Sequence, residues 1–486
     1  MADAPITASP APTNRPIWQR PVSRRAVLAT GATGAAAAAL AVLWKGNDLS
    51  QILDHVRDLT HGYQGALASE RVRVAHLLRR AGFGATKAEL DHYVSMGQSA
   101  ATEALLNYSK TSNTALEGQL PTIDLTGTTQ PTAAAIQGWW LQRMVGTARP
   151  LEEKMTLFWH GLLTSGLDKA GAAQLFTQNQ LYRSMALGNF DALLKAVSKD
   201  PAMMVYLDTE TNRKGKPNEN YARELMELFT TGIGHYTEDD VRESARSFTG
   251  WTLQGGKQLR YATGSQFVAR LHDAGLKTFM GKTGSFTGDD IVEMLVPLRA
   301  TAVRLSTKLF GYFAYPNPEP DVVNHLADTF QKSRYNVGAV VREIFTMDAF
   351  YSDKAYRALV KTPAELVAQT LKATGANAKG YTAASAAMAP MGQVLFYPPN
   401  VAGWPGGTSW INSSTLLTRI NFANATTQRS RATLTTQTLA QLSDTMVDAN
   451  VSSTTRDGLQ AFATAHPDDQ AGLLFMVLAT PEFQLN

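Results

Sequence analysis

The sequence predicts a mostly α-helical protein, a multi-helical single large domain with a small β hairpin insertion. Three observations lead there. Apolar residues recur at three- and four-residue spacing through most of the chain after residue 66, the period of helices that bury one face. Capping residues bracket these stretches, as Thr237 before and Gly250 after one of them, or Thr362-Pro363 at the start of another. Two-residue alternation is confined to one place, near residues 259–261 and 267–271 beside a Gly255-Gly256 turn, which predicts a hairpin within residues 251–280. The chain has 486 residues, 44% of them hydrophobic, enough for a large core, and no internal repeat of fixed period.

The first segment is an address. Ser23-Arg24-Arg25-Ala26-Val27-Leu28 fits the twin-arginine pattern, and an Ala/Gly-rich apolar run follows to Trp44. Residues 1–45 are expected to be a twin-arginine leader or an N-terminal anchor, which implies export to the periplasm or beyond. No Ala-x-Ala cleavage site closes the run, and its length just suffices to span a bilayer. Contact with a membrane is expected only through this segment. Residues 46–65 read as a polar linker, and 66–486 as the helical domain.

The formal charge of +4 belongs to the leader: Arg15, Arg20, Arg24, Arg25 and Lys45 stand there against Asp3. Taking five from 45 bases and one from 41 acids leaves 40 of each, so the body offers no field for nucleic acid. With no cysteine, disulfides, thiolate metal sites, iron–sulfur clusters and a cysteine nucleophile are excluded.

Helices are expected over residues 86–95, 99–108, 133–145, 151–163, 172–187, 190–197 and 202–207, with a Thr-, Gly- and Pro-rich loop at 109–131. Pro150 and Pro363 suit first helical positions. His76 reads as a packed or capping residue. Further helices are expected over 289–295, 300–313, 319–331 and 337–345, and from Pro363. Residues 393–410 hold Tyr397-Pro398-Pro399-Asn400 and Trp404-Pro405-Gly406-Gly407, a rigid aromatic segment. Its Tyr397, Trp404 and Trp410 either form a platform for sugar rings or pin the loop to the core.

Residues 218–251, NENYARELMELFTTGIGHYTEDDVRESARSFTGW, carry the densest charge. Asn218 is placed to cap one helix, Gly232 and Gly234 to end it, and Thr237 with Asp240 to box the start of the next. Glu219, Arg223 and Glu227, then Glu238, Arg242 and Arg246, have the spacing of ion-pair ladders. Glu224 and Glu227, three apart, can also present two carboxylates to one cation or one substrate hydroxyl. His160, on an apolar-rich helix, is a buried hydrogen-bonding residue or a general base or ligand. His272 and Asp273 sit in a Gly-rich loop with Lys277 placed to pair with Asp273, either as a clasp or as part of a site.

The same stretch closely resembles the signature of the bacterial domain-of-unknown-function 1800 family. Other segments agree: HLLRRAGFGAT at 76–86, EKMTLFWHGLLTSG at 153–166, LHDAGLKTFMGKTG at 271–284, VKTPAEL at 360–366, FYPPNVAGWPGGTSWIN at 396–412 and the terminal LATPEFQ. The resemblance implies a helical, exported chain and names no reaction. It also implies a neighbour, a sulfatase-like exported protein of the domain-of-unknown-function 1501 family. One departure stands out. Where relatives commonly read FWHNHF, this chain reads Phe158-Trp159-His160-Gly161-Leu162-Leu163, so Leu162 replaces a second histidine.

Two functions are expected from these residues. One is a hydrolase acting on an extracytoplasmic polymer or glycoconjugate through His160, Glu224, Glu227, His272 and Asp273, with the metal and cofactor left open. The other is a non-catalytic envelope scaffold or partner of the sulfatase-like protein. The chain has no HExxH, no GxxxxGK before Gly281-Lys282-Thr283-Gly284 and no GxSxG, which removes zincin, P-loop and α/β-hydrolase readings.

Overall fold

A computed structural model describes residues 65–125, 130–254, 262–375 and 380–486. The leader and all of the expected linker except Gly65 lie outside these. Among the described residues no helix is long and apolar enough to cross a membrane.

The fold is helical almost throughout. Helices α1 (Glu70–Arg80), α2 (Lys87–Met96) and α3 (Gln98–Leu106) pack on one another at the start. Then come α4 (Ala133–Gly146), α5 (Pro150–Leu162), α6 (Ala172–Ser184), α7 (Phe190–Val197) and α8 (Pro201–Tyr206). The charged stretch gives α9 (Asn220–Glu224), a π-helical turn (Leu225–Phe229) and α10 (Glu238–Ser247). After two small sheets the chain continues through α11 (Gly288–Leu295), α12 (Arg299–Phe313), α13 (Pro320–Lys332), α14 (Val337–Thr346) and α15 (Pro363–Thr374). It ends with α16 (Tyr381–Ala386), α17 (Ser413–Ser430), α18 (Leu439–Val447), α19 (Ser453–Ala465) and α20 (Gln470–Leu478).

Local chemistry sets the boundaries. Thr86, Thr237, Thr287 and Thr362 each cap a helix in a reciprocal box with an acid three residues on, so two orphan amides are satisfied at each start. Pro150, Pro201, Pro320 and Pro363 occupy first-turn positions, where no amide hydrogen is needed.

The expected single hairpin is two. β1 (Trp251–Leu253) pairs antiparallel with β2 (Ser265–Phe267), and β3 (Lys277–Phe279) with β4 (Lys282–Gly284). The expected strand at 259–261 lies outside the described residues, and Ala269–Leu271 is a 3₁₀ turn. The second hairpin turns on Met280 and Gly281, both with positive φ, the two-residue geometry that matches strand twist.

The charged stretch also departs from expectation. The first helix does not run on as α-helix but widens at Leu225, and the Thr230 and Thr231 hydroxyls donate to the carbonyls of Leu225 and Met226. Arg223 pairs with Glu219 and reaches across to Glu238 at 2.7 Å, instead of continuing a ladder to Glu227. Arg242 pairs with Asp239, and Arg246 with Glu243 and Asp273.

The buried apolar residues form two large clusters. One is built from α1–α3, α7, the central stretch and α11–α14; the other from α4, α15–α20 and the chain end. Helix α5 stands at their seam: Met155, Phe158 and Trp159 enter the first, Leu157 the second. It is buried on nearly every side, charged residues included. Glu153, wholly buried, accepts from Arg143 Nε and Arg183 Nε at 2.5 Å each and from Trp140 Nε1 at 3.0 Å. The next residue, Lys154, donates to Glu365 Oε1 and to the Gly82 carbonyl.

Glu153→Gln should cost about 3–5 kcal/mol, because the buried Arg183 loses its counter-charge and Arg143 is left with Glu117 at 2.6 Å and Glu152 at 3.9 Å. Chemical unfolding should show a lowered midpoint at unchanged denaturant slope, and a midpoint equal to the parent's would remove Glu153 from this role.

Candidate functional site

The structure distributes the five residues singled out by sequence over three places. His160, near the end of α5, is 2% exposed. Its ring lies among Trp140, Phe396 and Trp404 at centroid distances of 5.5, 5.4 and 5.5 Å, and its Nε2 has no hydrogen-bond partner among the described residues. Burial alone pushes the imidazole pKa down to about 3, so the ring is neutral. Glu224 and Glu227 are half-buried at the junction of α9 and the π turn. Burial, and then the neighbouring Glu227, raise the Glu224 pKa, while Tyr236 donates its hydroxyl to Glu227 at 3.2 Å. His272 and Asp273 belong to a clasp. His272 Nδ1 lies 2.9 Å from the Thr249 carbonyl, and Asp273 accepts from Arg246 Nε at 2.8 Å. That bond holds the Asp273 pKa down at about 2. Lys277 does not pair with the Asp273 carboxylate; its ammonium donates to the Asp273 carbonyl at 2.5 Å. Among the described residues no three His, Asp or Glu side chains stand together as a metal-holding group.

What the fold does bring together is a cavity of about 290 Å³. It opens where α5 ends against the aromatic segment. Gly403 makes this approach possible: its φ is +81°, and a Cβ there would lie 2.2 Å from the Gly161 carbonyl oxygen. Farther back in the segment, Leu167 N donates to the Phe396 carbonyl at 2.9 Å. The segment is thus sewn to α5 and the turn after it. Trp404, half-buried, touches His160 and also lines the cavity, whereas His160 does not line it. Trp410 is 3% exposed, holds the loop to the core and borders the cavity with Trp404, whereas Tyr397 is exposed and does not line it, so the three-ring platform is not formed.

Phe158, Gly161 and Leu162 form one wall, and Lys308, Gly311 and Tyr312 of α12 face them. Thr362 and Glu365 from the start of α15 and Gln393 form the polar side. Glu365 is fixed: Lys154 holds one oxygen, and Thr362 N donates to the other at 2.7 Å. Its pKa falls despite burial because of Lys154, so it is a charged acceptor. Gln393 is 2% exposed; its Oε1 accepts from Ala364 N at 2.9 Å, and its amide nitrogen donates to no described residue. Aromatic faces and fixed hydrogen-bonding groups in one concavity are the make-up of a small-ligand site.

With that geometry in view, the family profile described as "Protein of unknown function (DUF1800)" matches residues 76–485. The chain belongs to the DUF1800 family. No curated protein and no solved structure is significantly similar to it. Three of the segments that carry the DUF1800 resemblance, 153–166, 360–366 and 396–412, supply most of the cavity wall. The histidine expected at Leu162 would stand in that wall; here the position is apolar. Sequence reasoning missed Lys308 and Tyr312. The available signal was the i, i+4 spacing of Arg304, Lys308 and Tyr312 on α12, a polar stripe beside Gly311 in an otherwise apolar helix.

Two outcomes test this geometry. Gly403→Ala should destabilise the protein by about 2 kcal/mol or more, through positive φ and the clash with Gly161; an unchanged melting temperature would refute the close approach. The folded imidazole of His160 stays neutral down to about 3, whereas the unfolded one protonates near its ordinary 6.5. Its contribution to stability is therefore present above that ordinary value and lost as pH falls toward the folded one. His160→Leu should flatten the stability–pH curve across this window, and an identical slope in the variant would show that the ring titrates freely.

Proposed function

We propose that the protein is exported and engages an extracytoplasmic polymer or glycoconjugate, seating one sugar-sized unit in the cavity beside Trp404. The observation that carries this reading is the pairing of Trp404 and Tyr312 with the fixed polar groups Glu365, Thr362 and Gln393 in one concavity. A ring with an apolar face and hydroxyl edges answers both sets, since aromatic faces cover C–H groups and fixed acceptors orient hydroxyls. The twin-arginine pattern at Ser23–Leu28 supports the address.

Binding is better supported than cleavage. Glu365 is ion-paired and held charged, so it serves as an acceptor and not as a general acid. Glu224, whose proton is held more tightly, does not line the cavity. A hydrolytic version of the proposal would draw on Glu224 as acid and Glu227 as base in a long substrate that passes both places. A second reading, a non-catalytic scaffold or partner of a sulfatase-like exported protein, is favoured by Ile233 in the charged stretch and Leu276 beside α10, which are 77% and 70% exposed.

The test is calorimetric titration of the exported protein with a panel of mono- and oligosaccharides. Gly311→Leu should block binding without unfolding, because Gly311 is helical, lines the cavity and has open space where a Cβ would stand. Trp404→Ala should weaken it by about 1–3 kcal/mol, the worth of one stacking ring. If no saccharide binds, or if Gly311→Leu binds as the parent does, the cavity is not the site.

A further inference from the structure

We propose that the sugar unit taken by this cavity carries a negative charge, and that Lys308 is the residue that receives it. The proposal rests on the reading of the cavity as a glycan site and names the ligand class within it.

Three observations carry it. The first is Lys308 itself. It lines the cavity, and its ammonium makes no ion pair, hydrogen bond or ring contact among the described residues. The cations around it are answered. Lys154 has Glu365, Lys361 donates to the carbonyls of Phe483 and Leu485, and Arg304 donates to the Leu228 carbonyl beside Glu227. Lys308 is exposed at the rim of the cavity. Partial desolvation by the cavity wall, and then Arg304 one turn back on α12, lower its pKa, and an anion placed there supplies the counter-charge that α12 does not.

The second observation is the charge of the floor. Among the described residues Glu365 is the one acidic side chain that lines the cavity, and it interacts with the charges of Lys154, Arg80 and Arg419. Another buried acid, Asp448, is taken up by Arg79 and Tyr356. Arg80 and Arg419 are each 1% exposed, and each leaves two guanidinium nitrogens without a partner. Their pKa values, lowered to about 9 by burial, keep them charged at neutral pH. The cavity therefore has a low-dielectric wall with a surplus of positive charge behind it, which concentrates anions at its mouth.

The third observation is Gln393, nine-tenths and more buried at the cavity wall with an amide donor unspent. A donor and a free ammonium in one concavity match an acceptor-rich group, a carboxylate or a phosphate or sulfate ester. A neutral sugar hydroxyl would leave the Lys308 charge unanswered.

The experiment is titration calorimetry of the exported protein with glucose, glucuronate, glucose 6-phosphate and glucose 6-sulfate, repeated at low and high salt. At least one anionic sugar should bind about tenfold to hundredfold tighter than glucose, the effect of one charge-assisted contact, and the preference should shrink with salt. Lys308→Met should bring the ratio of anionic-sugar to glucose affinity to about one, with the melting temperature as in the parent. Gly311→Leu should abolish binding of all four. The three anions differ in geometry, so their order tells a carboxylate from an ester. If glucose binds as tightly as every anion, or if Lys308→Met keeps the preference, the charge assignment fails and the glycan reading stands. If none of the four binds, both fail.

Discussion

Adjacent residues of α5, Glu153 and Lys154, carry opposite charges into the interior toward different neighbours. The carboxylate draws in α4 and α6 through Arg143, Trp140 and Arg183; the ammonium draws in α15 through Glu365. Charge without water is costly unless answered, and both are answered fully. The consequence is geometric as much as energetic. Helix α5 passes between two apolar clusters, either of which packs on it by non-directional contacts. These three ion pairs fix its rotation and height, and with them the positions of Phe158, Gly161 and Leu162.

Most of the helical plan was readable from residue order because its signals are local. Thr86, Thr237 and Thr362 each precede an acid at the capping-box interval, and Pro150 and Pro363 mark first turns; neither depends on tertiary context. The failures come where context decides. Nothing at Leu225 distinguishes a π turn from ordinary helix, since the same apolar spacing serves both until the Thr230 and Thr231 hydroxyls take up the carbonyls. The second hairpin escaped notice because three-residue strands offer too little alternation, and because Gly281 and Gly284 resembled part of a phosphate loop.

The candidate site was partly readable. The aromatic segment and Thr362–Glu365 were picked out for their composition and capping, and both border the cavity. His160 was chosen for its chemistry, yet its neighbours make it an internal spacer behind Trp404. His272 and Asp273 were chosen for a loop position, and Arg246 turns them into a clasp. Residue type announces what a side chain can do; only burial and partners decide whether it is at liberty to do it. Lys308 shows the converse, a common residue on an ordinary helix face that gains interest from the cavity it borders and from carrying no ion pair among the described residues.

The π turn has an evolutionary consequence. Such a turn is an α-helix that has accommodated one extra residue. Removing a single codon at Leu225 or Met226, between the two carboxylates, would restore regular winding and swing everything upstream by roughly 100° about the helix axis. Glu224 would then face a different side of the molecule from Glu227, and Arg223 would lose its reach to Glu238. The carboxylate pair is thus hostage to an insertion event, and chains of other lengths at this point would be built around a different polar surface.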